Sequence, residues 1–149
     1  MRVVVQRVTS AAVQVEGQEV GRIGSGLLIF LGICKSDTKK DQDYIVEKVT
    51  NLRVFPDNSG QMNLSAKDLK KDLLIVSQFT LYGDCRKGRR PSFNQSASGD
   101  LAKTIYEESV KRFSESGLKV ATGQFQAHMQ IEAINDGPVT ILLDSEKKF

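Results

Sequence analysis

The order of apolar and polar positions predicts a chain that is rich in strands and contains two helices. Apolar residues alternate with polar ones, or form short runs, in segments 2–8, 11–17, 18–24, 26–34, 72–83, 118–125, 127–134 and 139–144. The segment 26–34, GLLIFLGIC, is apolar throughout, which is typical of a strand buried on both faces. Turns are expected at Thr9-Ser10 and at Asn135-Asp136, between strands.

Two segments carry apolar residues at helical spacing. The apolar face of the first helix consists of Ile45, Val46, Val49 and Leu52. Asp37 or Thr38 can cap its start, and Pro56 ends the segment. The apolar face of the second consists of Ala102, Tyr106, Val110 and Phe113. Ser98 can cap this helix, and Gly117 can close it.

These elements predict one α+β domain spanning residues 1–149, with seven or eight mostly antiparallel strands and two helices. A chain of this length can bury its own core, and 40% apolar with 26% charged residues is ordinary for a globular protein. No apolar stretch approaches the roughly 18 residues of a membrane span. The N-terminal segment resembles a strand more than a signal peptide, so we expect a cytoplasmic protein with no membrane partner.

Histidine and cysteine are scarce in this chain, with one histidine and two cysteines. Cys34, Cys85 and the single histidine, His128, lack the short spacings of a zinc site, so no metal is expected. A nucleophilic triad would have to use His128. In the alternating run AHMQIEAI, a histidine is more often a side chain at the surface or at the edge of a pocket.

Positive charge is concentrated in one loop. Against the single acid Asp84, segment 83–95 carries Arg86, Lys87, Arg89 and Arg90. This loop accounts for the whole net charge of +3, and the rest of the chain is neutral. Such a concentration is expected of a contact with phosphate or nucleic acid, although a solvated basic loop has the same composition.

Polar side chains follow an apolar strand directly before this loop. After the run LLIV come Ser77, Gln78, Phe79 and Thr80. Buried and unpaired Ser or Gln costs stability, which points either to a functional site or to the exit of the strand from the core. Phe79 and Phe93 flank the basic loop, as in proteins that stack an unpaired base and hold its phosphates. This favours the end of a single-stranded RNA, with no DNA partner.

The sequence resembles the D-aminoacyl-tRNA deacylases. Two motifs carry the resemblance, SQFTL at 77–81 and NDGPVT at 135–140, and both have the D-specific form. Shorter matches are QRV at 6–8, GLL at 26–28, MNLS at 62–65 and RPSF at 90–93. The resemblance covers almost the whole chain, and the tail 146–149, EKKF, looks like a non-catalytic extension.

The resemblance implies a homodimer with a β-barrel-like fold and outer helices, which acts without metal or cofactor. Its substrate would be the acceptor end of aminoacyl-tRNA: it would hydrolyse the ester of D-aminoacyl-tRNA, and also glycyl-tRNA, including glycine mischarged on tRNA(Ala). The Gly137-Pro138 bond is implied to be cis, and the pair would enter the partner's pocket and exclude L-amino acids sterically. Arg7 is a candidate for holding this loop through its carbonyls, or else a surface side chain.

Two mechanisms fit these residues. The Thr80 hydroxyl could attack the ester, but it needs a base and none is identifiable. Alternatively, backbone N–H groups around Phe79 and Thr80 stabilise the oxyanion, while the 2′-hydroxyl of the terminal ribose positions or activates water. We favour the second mechanism.

Further roles follow from the resemblance. Ser77 and Gln78 would shape the pocket and orient the ester, and Phe79 would contact the terminal adenine. Phe125 and Met129 would line the amino-acid side of the pocket, or else pack in the core. The four basic residues of the loop would hold acceptor-stem phosphates. Two other function classes remain open: a non-catalytic RNA-binding module, and a hydrolase of other small esters that shares the fold.

Overall fold

A mixed sheet dominates the structure, a computed structural model that describes residues 1–148. Its strands are β1 (Arg2–Val15), β2 (Gln18–Ile23), β3 (Gly26–Gly32), β6 (Asp72–Ser77), β7 (Val120–Thr122) and β8 (Gln130–Asp144). A small separate hairpin consists of β4 (Phe55–Pro56) and β5 (Met62–Leu64). The helices are α1 (Lys39–Thr50), α2 (Ala66–Leu69) and α3 (Gly99–Glu115), and a 3₁₀ turn spans Phe79–Tyr82.

The strand order is β2-β1-β3-β6-β7, with β8 also paired to β1. Pairs β1–β2, β1–β3 and β1–β8 are antiparallel, whereas β3–β6 and β6–β7 are parallel. The parallel pairs arise because α1 and α3 lie in the connections that return the chain to the same end of the sheet. The predicted α+β class is therefore confirmed, with a mixed sheet and with α2 as a short additional helix.

The two edges of the sheet approach each other, which makes it nearly closed and barrel-like. Gly21 on β2 lies against Thr122 on β7, and a Cβ atom on Gly21 would lie 2.4 Å from the Thr122 carbonyl oxygen. A side chain cannot be accommodated at this distance. Glycine at position 21 therefore permits the close approach of the edges.

The turn predicted at Thr9-Ser10 is wrong, because β1 continues through it. Pairing with β8 from Arg2 to Gln14 explains the continuity: Ser10 lies opposite Ile134 and Arg2 opposite Asp144. Shifts in register on either side of Val8 accommodate the change of neighbour from β3 to β2. Long-range hydrogen bonds here outweigh the turn preference of Thr and Ser.

Other boundaries also differ from the sequence-based expectation. The strand predicted at 72–83 ends at Ser77 and continues as the 3₁₀ turn. The strand predicted at 118–125 is limited to β7, and the last two predicted strands form the single strand β8. The loop predicted after Pro56 contains β5, followed by α2, whose capping box of Ser65 and Asp68 was a missed signal.

Both long helices begin where the sequence predicts. Thr38 is the N-cap of α1 and forms a capping box with Asp41. Ser98 is the N-cap of α3, and Gly117, with φ of 83°, follows its end. The helices pack against one face of the sheet, where Leu27, Ile29 and Leu31 of β3 are buried. Leu28 of the same strand is buried on the other face, as the continuous apolar run predicts.

Within residues 1–148, no helix has the length and apolar character needed to cross a membrane. The predicted tail, 146–149, ends with Phe149, which lies outside the described residues. Its described part contains an ion pair of 2.5 Å between Lys148 Nζ and Glu146 Oε2.

Candidate active site

A pocket of about 580 Å³ opens where β3 and β6 end, beside the start of α3. Its lining includes Ser77 and Gln78 from the end of β6, Phe79 from the 3₁₀ turn, and Phe125 and Met129 from the segment before β8. The structure thus brings these five sequence-predicted residues together at one site. The volume falls within the range of small-molecule binding sites.

Thr80 lies beside this pocket without lining it. Its exposed hydroxyl accepts a hydrogen bond of 2.5 Å from the Gln78 side-chain amide. An amide cannot accept the proton that a nucleophilic hydroxyl must lose. The arrangement therefore orients the Thr80 hydroxyl but gives it no general base.

Two N–H groups are unpaired at the start of the 3₁₀ turn. The first backbone donor of the turn with an internal partner is Leu81, which bonds the Gln78 carbonyl at 3.3 Å. In the described part of the chain, neither Phe79 nor Thr80 donates its backbone N–H to any acceptor. Free donors at a helix start are ready to bind a negatively charged oxygen.

An aromatic pair stands at the mouth of the pocket. The Phe79 and Phe93 ring centroids lie 5.0 Å apart at an interplanar angle of 66°, an edge contact. Phe79 is 56% exposed although it is a large apolar residue. Its ring therefore offers a free surface on which another flat group can stack.

Tyr106 of α3 contacts Phe125, one of the residues that line the pocket. The Tyr106 hydroxyl donates a 2.8 Å hydrogen bond to the Ile75 carbonyl, and its ring lies 5.5 Å from that of Phe125. Burial raises the pKa of Tyr106 well above its ordinary value, so this hydroxyl stays protonated. Nearby, a Cβ atom on Gly123 would lie 2.6 Å from Met129 sulfur, so glycine leaves the room that Met129 occupies.

The basic loop adjoins the pocket through Phe79 and Phe93. Asp84 and Ser92 pair across its base through backbone hydrogen bonds of 2.8 and 2.9 Å. Arg86 binds the Asp84 carboxylate through Nε at 2.9 Å and Nη2 at 2.6 Å. These side-chain hydrogen bonds lower the pKa of Asp84 to about 2.

The other basic side chains of the loop are free to contact a ligand. Lys87, Arg89 and Arg90 are exposed, and none forms an ion pair with any described residue. Positive charge in the loop is therefore only partly neutralised within the chain.

The Gly137-Pro138 peptide bond is cis and lies in a wide bulge of β8. Gln6 pairs with Thr140 and Val8 with Asn135, so the segment 136–139 lies opposite Arg7 alone. Both Gly137 and Pro138 are exposed, and neither lines the pocket of the same subunit.

Arg7 holds the start of this bulge. Its Nε donates to the Asp136 carbonyl at 3.1 Å, and its Nη1 donates to the Val54 carbonyl at 2.5 Å. The Asp136 carboxylate also lies 3.1 Å from Nε. The carbonyl groups of Gly137 and Pro138 accept no hydrogen bond from Arg7 or any other described residue.

One wall of the pocket was not found by sequence reasoning. It is formed by small residues at and before the start of α3, among them Ala97, Gly99 and Ala102. A Cβ atom on Gly99 would lie 2.5 Å from the Gln126 side-chain nitrogen. The run SASGD was the available signal, but only the tertiary structure places it beside β6.

The remaining candidate for side-chain chemistry, His128, is exposed at the pocket rim. Cys34 is buried and Cys85 is exposed, both as free thiols. Across the described residues, no group of three or more His, Cys, Asp or Glu side chains is arranged to hold a metal ion.

The fold and the pocket define a small α+β protein with a ligand-sized site at its strand ends. A family profile described as D-Tyr-tRNA(Tyr) deacylase matches residues 4–144. The D-aminoacyl-tRNA deacylase of Thermosipho africanus strain TCF52B is 59% identical over 149 residues, which cover 100% of both chains. The enzyme of the same name from Clostridioides difficile strain 630 is 55% identical, again over 100% of both chains.

Two solved structures share the fold of this chain. One described as c-Myc DNA Unwinding Element Binding Protein has a TM-score of 0.91 and 40% identity, covering 97% of this chain and 98% of its own. A probable eukaryotic D-amino acid tRNA deacylase has a TM-score of 0.85 over 95% and 97% of the chains; at 18% identity it supports the fold alone. The chain belongs to the D-Tyr-tRNA(Tyr) deacylase family.

Proposed function

We propose that this protein hydrolyses the ester of D-aminoacyl-tRNA and releases a free D-amino acid and tRNA, acting in the cytoplasm. Family membership and the names of its relatives support the reaction class. The observation that carries the mechanism is the pair of unpaired N–H groups of Phe79 and Thr80 beside the pocket.

These N–H groups form the oxyanion hole in the proposed reaction. Water adds to the ester carbonyl, and the negative charge on its oxygen is stabilised by the two donors. The ribose oxygen then leaves with a proton, and the 2′-hydroxyl of the terminal ribose positions or activates the attacking water. Because an aminoacyl ester is already reactive, positioning and charge stabilisation suffice, and no metal or cofactor is required.

Thr80 is not the nucleophile in this mechanism. Its hydroxyl accepts from the Gln78 amide, and that amide cannot remove the proton. Gln78 and Ser77 instead shape the pocket and orient the ester at the end of β6.

The substrate is divided between two parts of the site. The exposed ring of Phe79 stacks on the terminal adenine, supported at its edge by Phe93. Phe125 and Met129 line the side that receives the amino acid. The basic loop binds acceptor-stem phosphates, with Lys87, Arg89 and Arg90 free to do so and Arg86 shared with Asp84.

Selection against L-amino acids requires a second copy of the chain. Gly137 and Pro138 are exposed and do not line their own pocket, which supports a role for them in the pocket of a partner. The exposed face of β8 carries Ile134 and Leu142, which are 64% and 59% exposed and suit a subunit interface. Rigid carbonyl groups of the pair would exclude an L side chain. Glycyl-tRNA, including glycine mischarged on tRNA(Ala), would be accepted because glycine has no side chain.

The proposal is tested by release of labelled tyrosine from D-Tyr-tRNA and L-Tyr-tRNA, each with and without the protein. We expect fast release from the D form and only the uncatalysed rate from the L form. Binding of tRNA without release would identify an RNA-binding module. Hydrolysis of small esters at the same rate with and without attached RNA would identify a general esterase.

A further inference from the structure

A second, polar groove of about 620 Å³ lies next to the pocket. The two share Ala127 and His128 in their linings and therefore adjoin each other. The groove lies between the turn that joins β1 to β2 and the segment that precedes β8. None of the functions assigned above uses this groove.

Four glutamines define the chemistry of the groove: Gln14, Gln18, Gln124 and Gln130. Within the described chain, none of their side-chain amides forms a hydrogen bond with another residue. Each amide presents both a carbonyl acceptor and an NH₂ donor. The groove therefore offers several uncommitted donor–acceptor pairs.

The charge of the groove argues against phosphate as its ligand. Its lining contains no lysine or arginine among the described residues, and its one carboxylate belongs to Glu16. Phosphate oxygens need cationic partners, whereas the edges of nucleobases pair with neutral amides. His128, exposed at the junction with the pocket, adds a flat ring on which a base can stack.

We propose that this groove binds the unpaired cytidines that precede the terminal adenosine of the tRNA. This inference rests on the proposed function, because the pocket then holds the adenosine and the adjoining groove receives the nucleotides before it. The glutamine amides pair with the base edges, and the basic loop remains the contact for stem phosphates. Recognition of the substrate is thus divided into a salt-insensitive part in the groove and a salt-sensitive part in the loop.

The test compares D-tyrosyl-adenosine with D-tyrosyl-CpCpA, neither of which contains an acceptor stem. The double variant Gln124→Ala/Gln130→Ala removes two exposed amides that lie outside the pocket lining. We expect its KM for D-tyrosyl-CpCpA to rise about tenfold, through loss of hydrogen bonds to the bases. Its KM for D-tyrosyl-adenosine and its kcat should stay unchanged. The rise should persist at about 0.5 M salt, where phosphate contacts are weakened.

Gln61→Ala, an exposed glutamine in the loop before β5, is the matched control and should leave both KM values unchanged. Equal effects of the double variant on the two substrates, or no effect on either, would overturn the proposal. If the groove received a protein segment instead, neither RNA substrate would respond to the variant, which is the same overturning result.

Direct binding separates this inference from the proposed function. Uncharged CpCpA and adenosine are titrated into the unmodified protein and into the double variant. Weaker binding of CpCpA alone to the variant supports the groove even if no tyrosine is released by the unmodified protein. Equal binding of CpCpA to both proteins rejects it, whether or not release occurs.

Discussion

The Arg7 guanidinium donates a 3.1 Å hydrogen bond to the carbonyl oxygen of Asp136, the residue that precedes the Gly137-Pro138 pair. Arg7 is also bonded to the Val54 carbonyl, and its side chain is only 11% exposed. In the pairing of β1 with β8, Arg7 is the one residue of β1 that lies opposite the segment 136–139. Arg7 therefore sets the position of the bulge that we propose as the chirality gate.

Removing this support should weaken rejection of L-amino acids. In Arg7→Ala the bulge loses its side-chain anchor and the Val54 carbonyl, in a buried residue, loses its donor. We expect the ratio of D-Tyr-tRNA to L-Tyr-tRNA hydrolysis rates to fall about tenfold, equivalent to about 1.4 kcal/mol of discrimination. Single-turnover release from both substrates measures this ratio.

The control for Arg7 is Arg22→Ala, which removes an exposed arginine on β2 that pairs with Glu19. This variant should keep the ratio of the unmodified protein. An unchanged ratio in Arg7→Ala, with a normal circular dichroism spectrum, would separate Arg7 from the gate.

The Thr80 hydroxyl should be dispensable, whereas its N–H group should not. Thr80→Ala removes the acceptor of the Gln78 amide but keeps the backbone donor, so kcat should stay within about tenfold. Incorporating the α-hydroxy acid of threonine at position 80 keeps the hydroxyl and deletes the N–H. This change should lower kcat by about 10²–10³-fold, the usual cost of an oxyanion-hole donor. The reverse ranking of the two variants would establish Thr80 as the nucleophile.

Affinity for tRNA should rise when Asp84 is neutralised. Asp84→Asn releases Arg86 from its bidentate pair and removes one negative charge, so the net charge of the loop rises by one. We expect this variant to bind tRNA more tightly and with a steeper dependence on salt. Arg89→Ala should bind tRNA more weakly and should reduce the slope of log K against log salt by about one. Filter binding over a salt series measures both, and Lys40→Ala on α1 should leave the slope unchanged.

The ion pair between Asp84 and Arg86 also determines how the affinity for tRNA should depend on pH. Because the folded-state pKa of Asp84 is lowered to about 2, the carboxylate stays ionised and bound to Arg86 as pH falls from 8 to 4. Protonation, which would release Arg86, occurs only near pH 2. The difference in tRNA affinity between Asp84→Asn and the unmodified protein should therefore be constant from pH 8 to 4. A difference that narrows toward pH 4 would contradict this pKa.

Local patterns in the sequence predicted α1, α3 and the buried strand β3, because each depends on spacing and capping within a few residues. The continuity of β1 through Thr9-Ser10 could not be predicted in this way. It depends on pairing of Ser10 with Ile134, more than a hundred residues away. Parallel pairing of β3 with β6 likewise follows from the path of the whole chain.

The residues of the candidate site were likewise predictable from the sequence only where the signal is local. The change from apolar to polar residues after Val76 located Ser77, Gln78 and Phe79 at the pocket. The wall formed by Ala97 and Gly99 has no chemical signature, since small residues become informative only when a neighbour such as Gln126 approaches them. An oxyanion role for the N–H groups around Phe79 and Thr80 is already expected from the sequence. That these donors have no acceptor within the described chain could be seen only in the structure, because the sequence predicted a strand where a 3₁₀ turn occurs.

Tyr106 should contribute to stability without taking part in chemistry. In Tyr106→Phe, the Ile75 carbonyl loses one donor but keeps the Gly123 N–H at 3.1 Å. We expect the free energy of unfolding to fall by about 1 kcal/mol and the Tm by about 2–4 °C. Thermal and urea unfolding measure these changes, and deacylation should persist because the ring beside Phe125 is retained.

The matched control is Tyr44→Phe, since the Tyr44 hydroxyl makes no hydrogen bond with any described residue. Its unfolding should match that of the unmodified protein. If both variants were equally stable, the Tyr106 hydroxyl would contribute nothing measurable.

Gly137 should be essential for the shape of the proposed gate. Its φ of 131° is rarely adopted by residues with a side chain, and a Cβ atom would lie 2.9 Å from the Val139 backbone nitrogen. In Gly137→Ala the bulge must move, so we expect increased hydrolysis of L-Tyr-tRNA. Gly24→Ala, where a Cβ atom meets nothing within 4 Å, should leave selectivity unchanged.

Mixed dimers then identify the subunit in which Gly137 acts. A Gly137→Ala subunit is paired with one whose pocket is blocked by Ala97→Trp, a substitution in the pocket wall. The open pocket belongs to the Gly137→Ala subunit. If the gate crosses the interface, this pocket receives the unaltered Gly137 of the partner subunit, whose own pocket is blocked. Such dimers should still reject L-Tyr-tRNA, whereas the Gly137→Ala homodimer should accept it. If the mixed dimers hydrolyse the L form at the same rate per open pocket as the homodimer, the gate acts within its own subunit.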